Sequence, residues 1–418
     1  MTCNGFGGTM VYGKQSVALQ KGWEMDMKIF AFPNGDEVHR FDYNIVLELR
    51  GKRRVLSTAP YNGGYHTDLT TILNHDGNPG AGCSAEMKGD TYREHMMNTI
   101  REIGLDLETT TGMETAVHME TAAIRTETYQ HLSATAIVTG GVEVNGGRVG
   151  DPATWVEDGR VAPEYRLGTI NILLCVNVDL SEGAMARALV TCTEAKTAAL
   201  GELVAESHYS RGLATGSGTD GTAIIADMES EYYLTDTGKH SKIGELIGRA
   251  VKGAVKEALY RQSGMGPEKQ HDVFRRMSRF GLTRAGIYGK CKEIYGETAP
   301  GRPEFEAAAE VLAKESKWVI NASFLAHAID QMDWGLLSAE ETLAAADEIL
   351  AALDAKQTEK TETEGAAGTA GVVEATESAK TAESETEVAL KDQAVERIME
   401  TFEAELIKQI VKRCETWD

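Results

Sequence analysis

The chain has 418 residues, and its 42 basic and 64 acidic side chains give a formal net charge of −22. A chain this acidic is not expected to bind duplex nucleic acid or an anionic membrane surface. Apolar residues make up 42% of it and charged residues 25%, as in globular proteins, and its length suffices for about two to three domains.

Neither a signal peptide nor a membrane span is predicted. No basic N-terminal segment precedes an apolar run, and no stretch approaches about 18 continuous apolar residues, so we expect a cytoplasmic protein. The cysteines form no CxxC pair and no zinc-finger spacing, so we expect reduced thiols. They are Cys3, Cys83, Cys175, Cys192, Cys291 and Cys414. We also expect neither a metal nor a cofactor bound by the protein.

Strand-like and helical segments alternate over about residues 20–262. The first strand-like segment, 27–32, is followed by a turn containing Asn34-Gly35 and a second run ending at residue 50, because Asn-Gly supplies the positive φ angles of a tight hairpin. Further strands are predicted at 53–59, 135–141, 169–178 and 222–227. This order predicts an α/β or layered α+β catalytic domain, assigned to residues 1–263, with a helical C-terminal extension.

Two helices in this domain are predicted from apolar residues at helical spacing. One follows Ser181 and carries an apolar stripe from Met185 to Leu203, and the other follows Ser241 and carries one from Ile243 to Leu259. Both are expected to pack against the sheet.

The remaining chain is divided by composition into four segments. Residues 264–303 form a basic connector, suited either to an acidic partner or to the acidic surface of the protein itself. A helical section at 304–354 includes a capping box at Ser338 and Glu341. Residues 355–387 lack aromatic residues, Leu and Ile, which predicts a disordered acidic linker. Residues 388–418 form an amphipathic helix that either docks on the preceding helices or joins two copies as a homo-oligomer.

The main candidate for chemistry is a glycine-rich loop. Residues Gly216 to Gly221 match the G-x-G-x-x-G pattern, but a strand follows instead of a helix, which argues against dinucleotide binding. The loop backbone and its hydroxyls are suited to hold a carbonyl or an oxyanion beside Asp220, and a plain glycine turn is the alternative. The predicted substrate-binding residues here are Thr215, Gly216, Ser217, Gly218 and Thr219.

Lys196 lies unexpectedly within the apolar stripe of the first helix, whereas Glu194 lies on the opposite face. A buried ammonium group is costly unless it meets a carboxylate, so we predict that Lys196 pairs with Asp220 or reaches into a cleft. A lysine that extends from the helix edge into solvent is the alternative.

A second polar segment, 235–241, leads into the helix that follows Ser241. Its free N–H groups favour an anion or a polarised carbonyl, and His240 is a candidate to exchange protons near neutral pH. Ordinary capping with a solvated His240 is the alternative. Polar groups also occur at 61–66 and 74–78, predicted as glycine-bearing loops, but the spacing of His66 and His75 matches no metal site.

Several blocks of sequence resemble the adenosylcobinamide amidohydrolase family over about residues 25–262. This resemblance implies an enzyme of corrinoid salvage and cobalamin biosynthesis. Such an enzyme hydrolyses the amide between aminopropanol and the corrin ring of adenosylcobinamide, giving adenosylcobyric acid, so the expected partner is a corrinoid substrate that carries its own cobalt. The blocks are 53–64, 138–141, 148–152, 168–172, 193–200, 214–220 and 238–245. Within them Asn62, Gly63, Gly64 and Asn171 are further substrate-binding candidates.

The chemistry of amide hydrolysis suggests roles for the polar residues of these blocks. The loop at 215–220 and the helix start at 238–241 polarise the carbonyl, Asp220 or Glu194 activates water, and His240 or Lys196 protonates the leaving amine. A corrinoid-binding or sensing protein without turnover is the alternative function, and an amidase acting on another amide is a third.

Overall fold

A computed structural model of the chain describes residues 27–78, 87–153, 156, 168–354 and 385–416. Cys3, Cys83 and residues 355–384 of the predicted linker lie outside these residues. The described cysteines, Cys175, Cys192, Cys291 and Cys414, are free thiols, and all but Cys414 are buried.

The helices and strands alternate through the first half of the chain, and helices alone follow. The strands are β1 (Met27–Ala31), β2 (Glu37–Phe41), β3 (Asn44–Glu48), β4 (Arg53–Ser57), β5 (Gly64–His66), β6 (Thr71–Asp76), β7 (Thr110–Thr115), β8 (Ala123–Tyr129), β9 (Leu132–Gly140), β10 (Gly146–Gly147), β11 (Ile170–Val176), β12 (Asp179–Leu180), β13 (Gly216–Ser217), β14 (Gly221–Asp227) and β15 (Tyr233–Leu234). The α-helices are α1 (Tyr92–Ile103), α2 (Glu182–Glu202), α3 (Lys242–Ser263), α4 (Pro267–Gln270), α5 (Val273–Met277), α6 (Arg284–Tyr295), α7 (Arg302–Ala313), α8 (Ser316–Asp333), α9 (Ala339–Asp354) and α10 (Glu385–Glu415).

Two β-sheets pack face to face between outer layers of helix. Sheet A has five strands in the order β1-β2-β3-β6-β7, and sheet B has six in the order β5-β4-β14-β11-β9-β8. Apolar side chains such as Ile72 and Ile225 fill the space between the sheets. Helix α1 covers the outer face of sheet A, and α2 and α3 cover that of sheet B. The predicted α/β fold with a helical extension is confirmed.

The connection across the centre of sheet B positions the glycine-rich loop. Strands β11 and β14 are parallel neighbours, so the chain between them must cross over the sheet, and α2 lies in that crossover. Ser181 caps α2 by accepting from the N–H of Ala184 at 3.2 Å, and Ser241 caps α3 by accepting from the N–H of Gly244 at 3.1 Å. The apolar stripes of both helices are buried, as predicted.

Three elements differ from the sequence-based expectation. The run ending at residue 50 is two strands, β2 and β3, because Asp42 takes a positive φ of 45° and turns the chain. Asn74 and His75 lie inside strand β6 and not on a loop. Helix α1 was not predicted, although Thr91 and Glu94 form a capping box at its start.

The helices after α4 enclose a separate apolar core. The apolar face of α10 is buried there against the chain's own helices, including Phe402 beside Trp318, which favours docking over self-association for this face. Helix α10 begins at Glu385, three residues before its predicted start, and the capping box of Ser338 and Glu341 is present at α9. No described helix is long and apolar enough to cross a bilayer.

The basic connector pairs mainly with acidic side chains of this chain. This favours the acidic surface of the protein itself over a separate acidic partner. Lys269 and Arg275 contact Glu143 of the α/β domain at 2.9 and 3.4 Å. The pairs farther along are Arg279 with Asp330, Arg284 with Asp272 and Glu310, and Lys290 with Glu403.

Candidate functional site

The glycine-rich loop enters β14 at the amino end of the parallel pair β11 and β14, and a single carboxylate holds it in shape. Oδ1 of Asp220 accepts from the N–H of Ile170 at 2.9 Å and from Oγ of Ser217 at 2.7 Å. Oδ2 accepts from the N–H of Ser217 at 3.0 Å and from Nζ of Lys196. These four donors match the roughly four lone-pair positions of a carboxylate, so Asp220 is fully engaged within the protein.

The predicted pairing of Lys196 with Asp220 is present in the structure. Their side chains are only 12% and 11% exposed, so each charge depends on the other for compensation. Gly216 passes directly beside the pair: a Cβ on this residue would lie 2.3 Å from Oδ2 of Asp220 and 2.8 Å from Nζ of Lys196. The glycine at 216 is therefore required by this ion pair.

We expect Gly216→Ala to separate the Lys196–Asp220 pair and to lower the free energy of unfolding while the fold is retained. The control is Gly248→Ala in α3, where an added Cβ meets nothing within 4 Å and alanine favours the helix by about 0.5–1 kcal/mol. Urea titration and circular dichroism of both variants test this. A wild-type free energy of unfolding in Gly216→Ala would contradict the expected effect.

The hydroxyls of the loop bind neighbouring segments of backbone and the side chain of Asp220. Oγ1 of Thr215 accepts from the N–H of Val149 at 2.9 Å, and Oγ1 of Thr219 donates to the carbonyl of Gly168 at 3.1 Å. Ser217 donates to Asp220, as described above. Gly218 and Thr219 are the exposed residues of the loop, so they form the surface that a ligand can reach.

A second polar group supports the loop from below. Asn145 is 4% exposed; its Nδ2 donates to the carbonyl of Gly168 at 3.0 Å and its Oδ1 accepts from the hydroxyl of Tyr209 at 2.7 Å. Strand β10 pairs with β13 in the same region. The resemblance blocks at 148–152, 168–172, 193–200 and 214–220 therefore meet at one end of sheet B. Asn145 itself was not singled out from the sequence.

Asn171, predicted to bind substrate, joins the two sheets. It is 1% exposed, and its Nδ2 donates to Oδ1 of Asn74 at 2.7 Å and to the carbonyl of Glu114 at 3.1 Å. Its Oδ1 accepts from the N–H of Gly221 at 3.0 Å. Asn171 thus fixes the end of the glycine-rich loop against strands β6 and β7.

The turn at 61–64 lies beside the start of β14. Nearby, Thr58 and Thr222 exchange hydrogen bonds of 2.9 Å. Asn62 has a φ of 48°, and its Nδ2 donates to two carbonyls, those of Leu107 and Thr110. A Cβ on Gly63 would lie 2.1 Å from the carbonyl oxygen of Ala59, and Gly64 has a φ of 102°. The local backbone explains these three residues, and their role in substrate binding stays a prediction.

Glu194 lies on α2, and His240 lies just before α3. Glu194 is 45% exposed and pairs with Lys239 at 3.2 Å, and Thr191 donates to the carbonyl of Thr237 at 3.0 Å. Glu194 and Lys196 are two residues apart, about 200° around the helix, so they point in nearly opposite directions. His240 is exposed. In the described structure no hydrogen bond or ion pair connects it to Asp220 or Lys196.

A histidine and carboxylate cluster lies beneath the amino end of α1, and only His75 was noted from the sequence. Nε2 of His95 is 3.0 Å from Oε1 of Glu114, and its Nδ1 accepts from the N–H of Lys88 at 2.9 Å, so Nε2 carries the proton. Burial raises the pKa of Glu114, but the hydrogen bonds and charges of its neighbours, His95 foremost, together outweigh burial and lower the pKa overall. Nδ1 of His75 donates to Oδ1 of Asn44 at 2.8 Å.

Burial lowers the pKa of His75 to about 4, so this histidine is neutral at neutral pH. The unfolded chain binds a proton there below about pH 6.5. Stability from His75 is therefore present above pH 6.5 and lost as the pH falls to about 4, by up to about 3 kcal/mol. We expect His75→Gln to flatten the pH dependence of the unfolding free energy in this window, as measured by urea titration. An unchanged slope would contradict the burial of a neutral His75.

One group in the described chain has metal-ligating atoms within 4.8 Å of one another, formed by Glu37, His39 and Glu48 on sheet A. Arg50 already pairs with both carboxylates, and Lys28 pairs with Glu37 at 2.9 Å. These cations lower the pKa of Glu37 to about 2. The protein's own cations thus supply the charge compensation that a metal ion would bring.

The fold and the loops gathered at one end of sheet B define a layered α/β protein with a candidate small-molecule site. The chain belongs to the adenosylcobinamide amidohydrolase family, whose model matches residues 30–267. The resemblance found in the sequence is therefore confirmed. The chain is also 32% identical over 259 residues to an uncharacterized protein of Methanocaldococcus jannaschii, a match that covers 58% of this chain and 98% of that protein. Helices α5 to α10 lie beyond the family match.

Proposed function

We propose that this protein hydrolyses the amide between aminopropanol and the corrin ring of adenosylcobinamide, giving adenosylcobyric acid and free aminopropanol. One water is consumed: its oxygen joins the carbonyl carbon as the C–N bond breaks, and its protons go to the products. Membership of the amidohydrolase family supports this reaction. The observation that carries it furthest is the meeting of four resemblance blocks around the ion pair of Lys196 and Asp220.

The reaction needs donors for the developing oxyanion, a base and an acid for the leaving amine. We assign oxyanion binding to the exposed tip of the loop at 218–219. The Lys196 ammonium, held by Asp220, supplies positive charge beside it. Of the two bases considered, Asp220 is in the loop but has its lone pairs engaged, while Glu194 pairs with Lys239 on another face of α2. We therefore favour Asp220 as the group that orients Lys196 and Ser217 for reaction.

Purified protein incubated with adenosylcobinamide is expected to form adenosylcobyric acid and to release aminopropanol. Formation of the cobyric acid is measured by mass spectrometry. The same turnover is expected in the presence of EDTA, since no resident metal is proposed. Binding of intact adenosylcobinamide without product would indicate the corrinoid-binding alternative, and product only from another cobinamide analogue would indicate a different amide substrate.

Two substitutions test the assignment within the site. Asp220→Asn should abolish most turnover, because Asp220 connects the loop to Lys196. His240→Ala should retain turnover, because His240 is exposed and makes no described contact with the ion pair. Full activity in both variants would reject the proposed site, and loss in His240→Ala alone would move it to the start of α3.

A further inference from the structure

A short hairpin at 205–214 joins α2 to the glycine-rich loop. Glu206 and Leu213 form an antiparallel bridge. The N–H of Ser207 donates to the carbonyl of Gly212 at 3.0 Å, and that of Ala214 donates to the carbonyl of Ala205 at 2.8 Å. Because Thr215 follows the hairpin directly, the position of the hairpin fixes where the loop begins.

The tip of this hairpin carries Arg211, which binds two helices of the extension. Its Nε and Nη2 contact the two carboxylate oxygens of Asp333 at 3.2 and 2.8 Å, and its Nη1 contacts Asp392 at 2.7 Å. Asp333 ends α8, whereas Asp392 lies in α10, beyond residues 355–384. One guanidinium thus connects the α/β domain to helices on both sides of the predicted linker. Its planar fork of donors suits this bidentate contact better than an ammonium group does.

A second arginine holds the backbone at the same point. Nη1 of Arg279 donates to the carbonyl of Arg211 at 2.5 Å. The Arg279 side chain also forms a two-point ion pair with Asp330 of α8, in which the two side chains are 4% and 9% exposed. The extension therefore holds both the side chain and the main chain of Arg211.

The base of the hairpin is held from the other side by the segment at 148–151. Nη1 of Arg148 donates to the carbonyl of Leu213 at 3.3 Å. Oδ2 of Asp151 accepts from the N–H of Arg148 at 2.8 Å and from Oγ of Ser207 at 2.6 Å. The base of the hairpin is thus held mainly within the family-matching region, with one contact from the extension, in which Ser278 donates to Glu206. The tip of the hairpin is held by the extension through Arg211.

We propose that Arg211 is a positioning residue through which the helical extension sets the conformation of the glycine-rich loop. The residues of the extension that hold Arg211 are Asp333, Asp392 and Arg279, and all three lie beyond residue 267, where the family match ends. The helical extension thus supports a loop whose own residues lie within the family-matching region. Only the consequence for turnover rests on the proposed function, since the structural coupling stands on the contacts themselves.

Hydrogen exchange followed by mass spectrometry tests this coupling without substrate. In the full chain, Arg211→Met is expected to speed amide exchange in 212–220 by about tenfold, while peptides from α2 and α3 remain protected as in the wild type. The double variant Asp333→Asn, Asp392→Asn should reproduce this pattern, because it removes both carboxylates from the same guanidinium. Arg211→Lys should give an intermediate increase, since it keeps the charge and loses the fork.

The matched control is Arg413→Met. Arg413 pairs with Glu315 and so joins α10 to the start of α8 without contacting the hairpin. It should increase exchange in the extension and leave 212–220 unchanged. Equal exchange of 212–220 in Arg211→Met and in this control would overturn the proposal. If Arg211→Met unfolds the whole chain, the exchange of 212–220 in the milder variant Arg211→Lys is compared with that in Arg413→Met, and equal exchange again overturns the proposal.

Turnover of adenosylcobinamide gives a separate measurement. Arg211→Met is expected to lower kcat about tenfold with a smaller change in KM, and Arg211→Lys to restore part of it. If the wild-type protein does not turn over this substrate, the proposed function fails, and the exchange experiment still decides whether the extension positions the loop.

Discussion

Asp220→Asn is expected to lower the free energy of unfolding by about 3–5 kcal/mol and turnover by at least about a hundredfold. The asparagine leaves the Lys196 ammonium without a carboxylate in a site where its side chain is 12% exposed. The asparagine amide also has only one oxygen that accepts hydrogen bonds, whereas the two carboxylate oxygens of Asp220 accept from four donors. Urea titration and the cobyric acid assay measure the two effects.

The pair of Lys239 and Glu194 provides the control on the same helix. Its side chains are 59% and 45% exposed, and exposed pairs contribute only about 0–1 kcal/mol. Glu194→Gln should therefore leave both stability and turnover near wild-type values. If Asp220→Asn were as mild as Glu194→Gln, the ion pair would not be the element that organises the loop.

Arg53→Met is expected to destabilise the fold by about 3–5 kcal/mol, through a different site. Arg53 is 1% exposed; its Nε and Nη2 bind Asp36 at 2.8 and 3.0 Å, and its Nη1 binds Asp227 at 2.9 Å. Asp36 precedes β2 in sheet A, and Asp227 ends β14 in sheet B. Removing Arg53 leaves two buried carboxylates that no longer share a cation and separates the sheets at this end.

The stability deficit of Arg53→Met should narrow at acidic pH. Burial without a cation favours the neutral form of each carboxyl group, so the variant takes up protons at a higher pH than the wild type does. Arg302→Met is the matched control, because Arg302 pairs with Glu306 where both side chains are exposed, by 62% and 50%. A deficit that stays constant from pH 7 to pH 4 would show that packing, not charge, accounts for the loss.

The elements that could be predicted from sequence are those whose causes are local. Helical periodicity and a serine cap were enough to define α2 and α3, and the 100° spacing placed Lys196 inside the apolar face and so indicated its need for Asp220. Asn34-Gly35 marks the first hairpin because Gly35 takes a φ of 91° there.

The elements that were missed depend on partners distant in sequence. Polar Asn74 and His75 do not read as strand residues, and they are stable inside β6 because Asn171 and Asn44 satisfy their hydrogen bonds. The alternation along 37–50 gives no sign of the break at Asp42, which a non-glycine residue makes with a positive φ. Likewise, Asn145 and Arg211 gain importance only from the contacts that the folded chain brings to them.

The placement of α10 has a consequence for biosynthesis. The ribosome delivers residues in order, so the two sheets and their covering helices are complete once residue 263 has emerged. The core around Trp318 and Phe402 lacks one wall until α10 has been translated, well after α9. A nascent chain paused before residue 385 thus exposes an apolar surface to chaperones, and Arg211 awaits its second carboxylate until translation passes Asp392.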